Sequence, residues 1–252
     1  MIYNWEGMKA KLWVHIGDIV NVPGDMTDTF LDKLDAQNIP YLVCIGNHDY
    51  DTIATRTATA FNTALPQARY TGRSWWSGGF YDAGSENAYL LMTIDSVDYI
   101  FLALEYGPRQ AVVEWASALL TTYSARKAAI FTHGFLHNSG VRTTTGTPDN
   151  PHVYWEDSHD GEELWTELVK VHDNVIWVQS GHHIQAPPYF AHREDASDGG
   201  QTVIQNMCNF QTVAGGYMQF VTVDPVSEQL TFQTYSPPAG TTYADGKYSI
   251  NY

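Results

Sequence analysis

The residues best equipped for chemistry stand in four short polar stretches. Gly17-Asp18 follows the apolar run Leu12–Ile16, and Gly46-Asn47-His48-Asp49 follows Tyr41–Ile45. His133 closes the run Ala128–Thr132, and Gly181-His182-His183 follows Val175–Gln179. In each case a metal-type side chain comes directly after a run with the length and composition of a buried strand. In open α/β sheets, sites form outside the carboxyl ends of the strands. Four strand ends delivering Asp18, Asn47, His133 and His182 predict one mixed oxygen and nitrogen site. One carboxylate, one amide oxygen and two imidazoles suit a divalent transition metal such as Mn, Fe or Zn. In the second stretch an amide, an imidazole and a carboxylate stand side by side. Together they can bind a metal, shuttle a proton and orient the imidazole.

These groups need a scaffold, and the rest of the chain describes one. Helices are expected over Asp25–Gln37, with Phe30, Leu31 and Leu34 on its apolar face and Asp25 or Thr27 as its cap. Others are expected over Thr52–Ala64, over Pro108–Tyr123, where proline suits the first turn, and over Glu162–His172. Ala88–Asp95 and Tyr99–Leu104 read as paired strands joined at Ser96–Asp98. After Gln201 the pattern turns to strands, at Thr202–Met207, Tyr217–Val223 and Leu230–Tyr235. Early strand–helix alternation followed by a β-rich tail predicts two sheets packed face to face, with helices outside. Pro66–Ser85, with Tyr70, Trp75, Trp76, Phe80 and Tyr81, reads either as a rim over the site or as a surface hairpin with its own cluster. Gly134–Asp160 is a polar loop of a length that is usually functional or mobile. Its histidines, His137, His152 and His159, read as solvent-facing, and His15, inside a strand, as a core residue.

In order, G-D-x-x, G-N-H-D, a lone histidine and G-H resemble the motifs of the calcineurin-like metallophosphoesterases, over Leu12 to about Tyr235. The resemblance implies the four-layer α/β/β/α sandwich of two mixed β-sheets found in that family. It implies that Asp18 bridges two metals and that Asn47, His133 and His182 complete the shell of the second. His48 then faces the substrate, as proton donor to the leaving oxygen or as a phosphate contact. Asp49 either orients His48 or caps the following helix. Asn209, in Asn209-Phe210-Gln211, resembles a segment that lines the pocket in some secreted relatives, and His183 is a further substrate-facing residue. Three departures stand out. No strand ending in D-x-H precedes Leu12. Ile184 occupies the place where G-H-x-H supplies a first-metal ligand. Asn21 replaces the aspartate that holds the catalytic histidine in related phosphatases, and an amide cannot stabilise an imidazolium as a charge does. One metal site is therefore expected intact and the other depleted.

The function implied is metal-dependent hydrolysis of a small phosphoester, mono- or diester, by a metal-activated water. Two other readings are a phosphoesterase-fold binding protein that no longer turns over, and a carboxyl-ester hydrolase on the same fold. Composition bounds the rest. The 252 residues suit one large domain over 1–252, incomplete at its start relative to the family. Thirteen Lys and Arg against 28 Asp and Glu give a net charge of −15. Such a surface repels nucleic-acid phosphates, so no nucleic-acid partner is expected. No apolar run approaches the ~18 to 20 residues that span a membrane. The two cysteines, Cys44 and Cys208, read as buried free thiols. Low lysine with many Tyr, Trp, Thr, Asn and Gln leans towards an extracellular setting, although Met1–Glu6 has no signal-peptide character. The absent first strand leaves a gap in a sheet. Either Met1–Trp5 or Tyr248–Tyr252 moves in, or the sheet closes up without it, or a second subunit covers it; the last, which makes a homodimer, is the reading favoured.

Overall fold

Strict alternation of side chains organises the centre of the molecule. In β5 (Val97–Leu104), Ile100, Leu102 and Leu104 point to one face while Tyr99, Phe101 and Ala103 point to the other. Both sets are buried, as they must be in a strand covered on two sides. The first set packs on helix α4 (Gln110–Thr122) through Val112, Val113, Ala116 and Leu120. The second meets Tyr41, Leu42, Leu230 and Phe232, which come from outside the sheet. Burying each of these large apolar side chains is worth ~1.5 to 3 kcal/mol.

The computed structural model describes residues 10–21, 29–183, 187 and 189–252. Met1–Trp5, Asp25, Thr27, Asp28 and Ile184 lie outside them. The remaining elements are β1 (Trp13–His15), α1 (Thr29–Ala36), β2 (Tyr41–Val43), α2 (Thr59–Ala64), α3 (Gln67–Thr71), β3 (Gly78–Phe80) and β4 (Ala88–Ile94). Then come β6 (Lys127–Thr132), α5 (Gly161–Leu164), β7 (Val175–Ser180), β8 (Phe190–Ala196) and β9 (Thr202–Cys208). The chain closes with β10 (Met218–Asp224), β11 (Gln229–Ser236) and β12 (Thr241–Asn251). A seven-stranded mixed sheet has the order β3-β4-β5-β6-β7-β9-β8, with β5, β6, β7 and β9 parallel. β1 and β2 form a parallel pair, and β10, β11 and β12 an antiparallel sheet. The protein is α/β, with one core on each face of the large sheet. Among the described residues, the strands outside that sheet form the ladders β1–β2 and β10–β12, and both pack on the same face of it, consistent with the sandwich expected.

Several expectations shift by a residue or change character. The hairpin between β4 and β5 turns at Asp95-Ser96, both with positive φ (49° and 69°), and Val97 already pairs with Ile94. A two-residue turn of this kind matches the strand twist, so it wins over the three-residue turn expected. Thr52–Ala64 divides into a short 3₁₀ turn at Ile53–Thr55 and α2. The helix after Asp160 begins at Gly161 and continues as a π-helix from Trp165 to Val169. The aromatic stretch is neither rim nor isolated hairpin: Tyr70 is fully buried, and Trp75, Trp76 and Phe80 pack with it against the main core.

Candidate metal centre

Local backbone geometry brings the four strand ends together. After β1 the chain turns through Gly17 and Asp18, both left-handed (φ 88° and 54°). A Cβ on Gly17 would lie 2.6 Å from His133 Nδ1, and one on Gly46 would overlap the Asp18 carboxylate. The two glycines therefore let three chain segments meet within van der Waals range. The Gly181 amide donates to the His133 carbonyl (2.9 Å), which ties the ends of β6 and β7. His182 adopts φ 67°, costly for an imidazole-bearing residue and typical of a site that needs its side chain in one place.

At the centre is His133 Nε2. Asp18 Oδ2 lies 3.2 Å from it, Asn47 Oδ1 3.2 Å and His182 Nδ1 3.0 Å. The outer ring nitrogens settle the tautomers. His133 Nδ1 is 2.6 Å from the Ile16 carbonyl and His182 Nε2 is 2.8 Å from the Asp149 carbonyl. A carbonyl can only accept, so each outer nitrogen carries a proton and the inner nitrogens present lone pairs. Two lone pairs and two oxygens facing one another repel unless a cation lies among them. Donors ~2.1 Å from one ion at about a right angle stand ~3 Å apart, so the observed spacing fits a bound divalent metal. The ligand atoms of Asp18, His133 and His182 all fall within 4.8 Å of one another. These residues fit the metal. Carbonyl partners on the far ring nitrogens are the usual second support of such ligands.

Electrostatics show how strongly this centre draws positive charge. Burial opposes the charge on Asp18, but His133 and the His48 amide (3.0 Å to Oδ1) outweigh it and hold the carboxyl well below the usual range. Burial disfavours the His133 cation, but Asp18 outweighs it and pushes the ring up, so Nε2 draws either a proton or, in its place, a metal ion. Burial, reinforced by His133 and His183, lowers His182 to about 3, leaving it a neutral donor.

Asp49 and His48 part company here. The Asp49 carboxylate accepts from the amides of Ile19 (2.7 Å), Val20 (3.2 Å) and Gly46 (2.8 Å). Burial raises it to about 6 despite the bond from Gly46. It clamps the turn after Asp18 onto the Asn47–Asp49 3₁₀ turn. Neither orienting His48 nor capping a following helix describes it, because the bonded groups are backbone amides on both flanking turns. The His48 ring instead has Nδ1 3.1 Å from the backbone carbonyl of Asn21. The ring meets the main chain at Asn21.

Asn209 is spent structurally. Its Nδ2 donates to the His182 carbonyl (3.1 Å) and its Oδ1 accepts from the Gln211 amide (2.9 Å). His183 is buried against His137 and His182, with ring centroids 4.8 and 5.0 Å away, and burial lowers it to about 4. Of the loop histidines, His159 is buried and bonded to the Pro108 carbonyl (2.9 Å) and Glu167 (3.3 Å), contrary to the solvent-facing reading. His152, half-buried, binds Glu163 (2.7 Å). The grouping His152, Asp160 and Glu163 is used up in capping α5, since Asp160 accepts from Glu162 and Glu163 amides and Glu163 from the Asp160 amide.

Two positioning residues escaped the sequence reading. The buried Tyr106 donates its hydroxyl to the Asp149 carbonyl (2.7 Å), the same oxygen that receives His182 Nε2. Tyr106 follows β5 as the metal-type residues follow their strands, and that position was its only signal. Asp149 acts through its main chain and left none.

Residues 4–213 match the family described as calcineurin-like phosphoesterase, and the chain belongs to it. Members of this family are in general metal-dependent hydrolases that use divalent ions. The chain is also similar to the uncharacterized protein YvnB of Bacillus subtilis (strain 168), 26% identical over 244 residues. That match covers 93% of this chain and 18% of the Bacillus protein, so the chain spans less than a fifth of its relative's length.

Proposed function

We propose that this protein hydrolyses small phosphoesters, with one divalent transition metal, Mn, Fe or Zn, held by Asp18, Asn47, His133 and His182. The observation that carries the reading is the convergence of Asp18 Oδ2, Asn47 Oδ1 and His182 Nδ1 within 3.2 Å of His133 Nε2, with both outer ring nitrogens turned to carbonyls. A divalent ion, when bound, supplies Lewis acidity towards a phosphoryl oxygen and an activated water. Asp18 neutralises charge at the centre, and His133 and His182 fix its position through their carbonyl partners. His48, half-exposed beside the ligands, holds one proton at Nδ1 against the Asn21 carbonyl. From the doubly protonated ring, Nε2 delivers its proton to the leaving oxygen and the ring is left as the neutral Nδ1–H imidazole. The net charge of −15 supports a small ester over a nucleic acid. The test is metal analysis of the purified protein, together with turnover of para-nitrophenyl phosphate and its bis-ester. We expect about one ion per chain and metal-dependent release of nitrophenol. Protein without bound metal would overturn the proposal, and bound metal without turnover of either ester would reduce it to metal binding.

A further inference from the structure

Beyond Tyr106 and Trp155 lies a second cavity of about 470 Å³, which none of the four proposed ligands lines. The Tyr106 ring touches His182 at 4.8 Å and Trp155 at 6.0 Å, and Trp155 forms part of the cavity wall. Its lining comes from the segment after the Asn47–Asp49 turn, the loop between β3 and β4, and the residues just after β5. All three leave the strands at the end where the metal centre lies. The volume is that of a small-ligand site.

The cavity's charges are not balanced. Glu105, 2% exposed, accepts from Arg109 Nε (2.8 Å), Arg109 Nη2 (3.0 Å), Arg56 Nη1 (3.3 Å) and Asn87 Nδ2 (3.1 Å). Arg56 also lies over the Trp155 ring (4.0 Å) and binds Asp157 (3.3 Å). Both guanidiniums are therefore committed to Glu105 and Asp157. Glu86 and Asp82 have no cationic partner among the described residues. Glu86 Oε1 accepts only the Asn62 amide (2.7 Å), and Asp82 Oδ1 the Ala83 amide (2.7 Å).

A second observation stands apart from the acidic groups. Tyr50 is 1% exposed, lines the cavity, and its hydroxyl has no hydrogen-bond partner. Glu105, Arg56, Glu86 and Arg109 line the same cavity. Leaving a buried hydroxyl unpaired is costly, and a ligand atom that bonded to it would recover that cost.

We propose that this cavity binds a small organic cation, an ammonium-bearing group with a neighbouring hydroxyl, with Glu86 and Asp82 taking the charge and the Tyr50 hydroxyl the polar neighbour. The assignment rests on the cavity alone and stands whether or not the metal centre hydrolyses phosphoesters.

The test is calorimetric titration with ethanolamine, using ethylene glycol and glycolate as neutral and anionic controls of similar size. Ethanolamine is expected to bind saturably and the two controls not to. Glu86→Gln and Tyr50→Phe are each expected to weaken binding about tenfold or more, roughly one charge-assisted hydrogen bond. Tyr50→Phe keeps the ring that packs on Trp155, and a melting curve checks its fold. Should it unfold, Glu86→Gln, on a half-exposed side chain, carries the test. Each titration is repeated with EDTA, because an amine can also ligate a metal. Ethanolamine binding that EDTA abolishes, equal binding of all three probes, or binding indifferent to Glu86→Gln would each overturn the proposal.

Discussion

Asp18 carries three duties at once: it faces His133, it accepts the His48 amide, and it holds a left-handed backbone. Asp18→Asn removes the only carboxylate among the four proposed ligands, and we expect it to abolish metal binding, read by elemental analysis. His48→Asn touches none of the ligand contacts. It should leave metal content unchanged and lower kcat by ~10²- to 10⁴-fold, the usual worth of one positioned acid. A His48→Asn protein that emerged empty of metal would show the roles reversed. Gly46→Ala belongs with these, since its methyl would overlap the Asp18 carboxylate. Either Asp18 or the Asn47 turn must move, and metal content should fall although no ligand has changed.

The element that holds His182 is the long segment between β6 and α5, and Arg142 anchors it. Arg142 is 5% exposed and binds Glu162 (2.7 Å), Asp195 (2.6 Å) and Gln205 (2.8 Å), with its guanidinium over Trp165. The segment is thus fastened to α5, β8 and β9, and its Asp149 carbonyl is set where His182 needs it. Arg142→Ala should destabilise the fold by about 3 to 5 kcal/mol in urea melts, because it strands buried acceptors and a carboxylate. It should also weaken metal binding by loosening Asp149. The same network has a pH signature. Burial opposes the charge on Asp195, but bonds from Arg193, Gln205 and Arg142 prevail and lower its carboxyl to about 2. A depressed folded-state pKa contributes stability above the unfolded value, near 4, and loses it as pH falls from there towards about 2. After solvent screening the effect is about 1 kcal/mol. Asp195→Asn should flatten the acid limb of the melting-temperature profile over that interval, and an unchanged limb would place the acid sensitivity elsewhere.

Across the whole molecule, the metal centre joins two separately built parts. Asp18 and Asn47 extend from the β1–β2 pair, whereas His133 and His182 extend from the seven-stranded sheet. An ion held by all four would brace the two against each other across the main core. Ligand binding to the folded state alone stabilises it by about 2.7 kcal/mol at a hundred times Kd. In a domain of this size each kcal/mol moves Tm by ~2 to 4 °C. Chelation of metal-loaded protein should therefore lower Tm by about 5 to 10 °C, reversibly on adding the metal back. A Tm indifferent to EDTA would mean that no ion braces the sheets.

The strand-end motifs were legible in the sequence for a simple reason. A buried parallel strand must be a near-continuous apolar run, so the first polar residue after it marks the strand's carboxyl end. Tyr41–Ile45, Ala128–Thr132 and Val175–Gln179 are such runs, and Leu12–Ile16 reads like one although its strand is half-buried; together they announced both the α/β class and the place where Asp18, Asn47, His133 and His182 gather. The sequence could not show which atoms those side chains meet. The partners of His133, His182 and His48 are the carbonyls of Ile16, Asp149 and Asn21, and a carbonyl has no residue identity to read. Asp49 looked like a partner for its neighbour, yet it bonds to amides about thirty positions upstream. Strands β8 and β12 were missed because their pattern is polar, and their place is set by pairing with β9 and β11 rather than by burial. Trp75, Trp76 and Phe80 lacked the periodicity of either regular element, and only the docking of that stretch on the main core placed them. Local composition determined where strands end; the assembly of distant segments decided what each strand end touches.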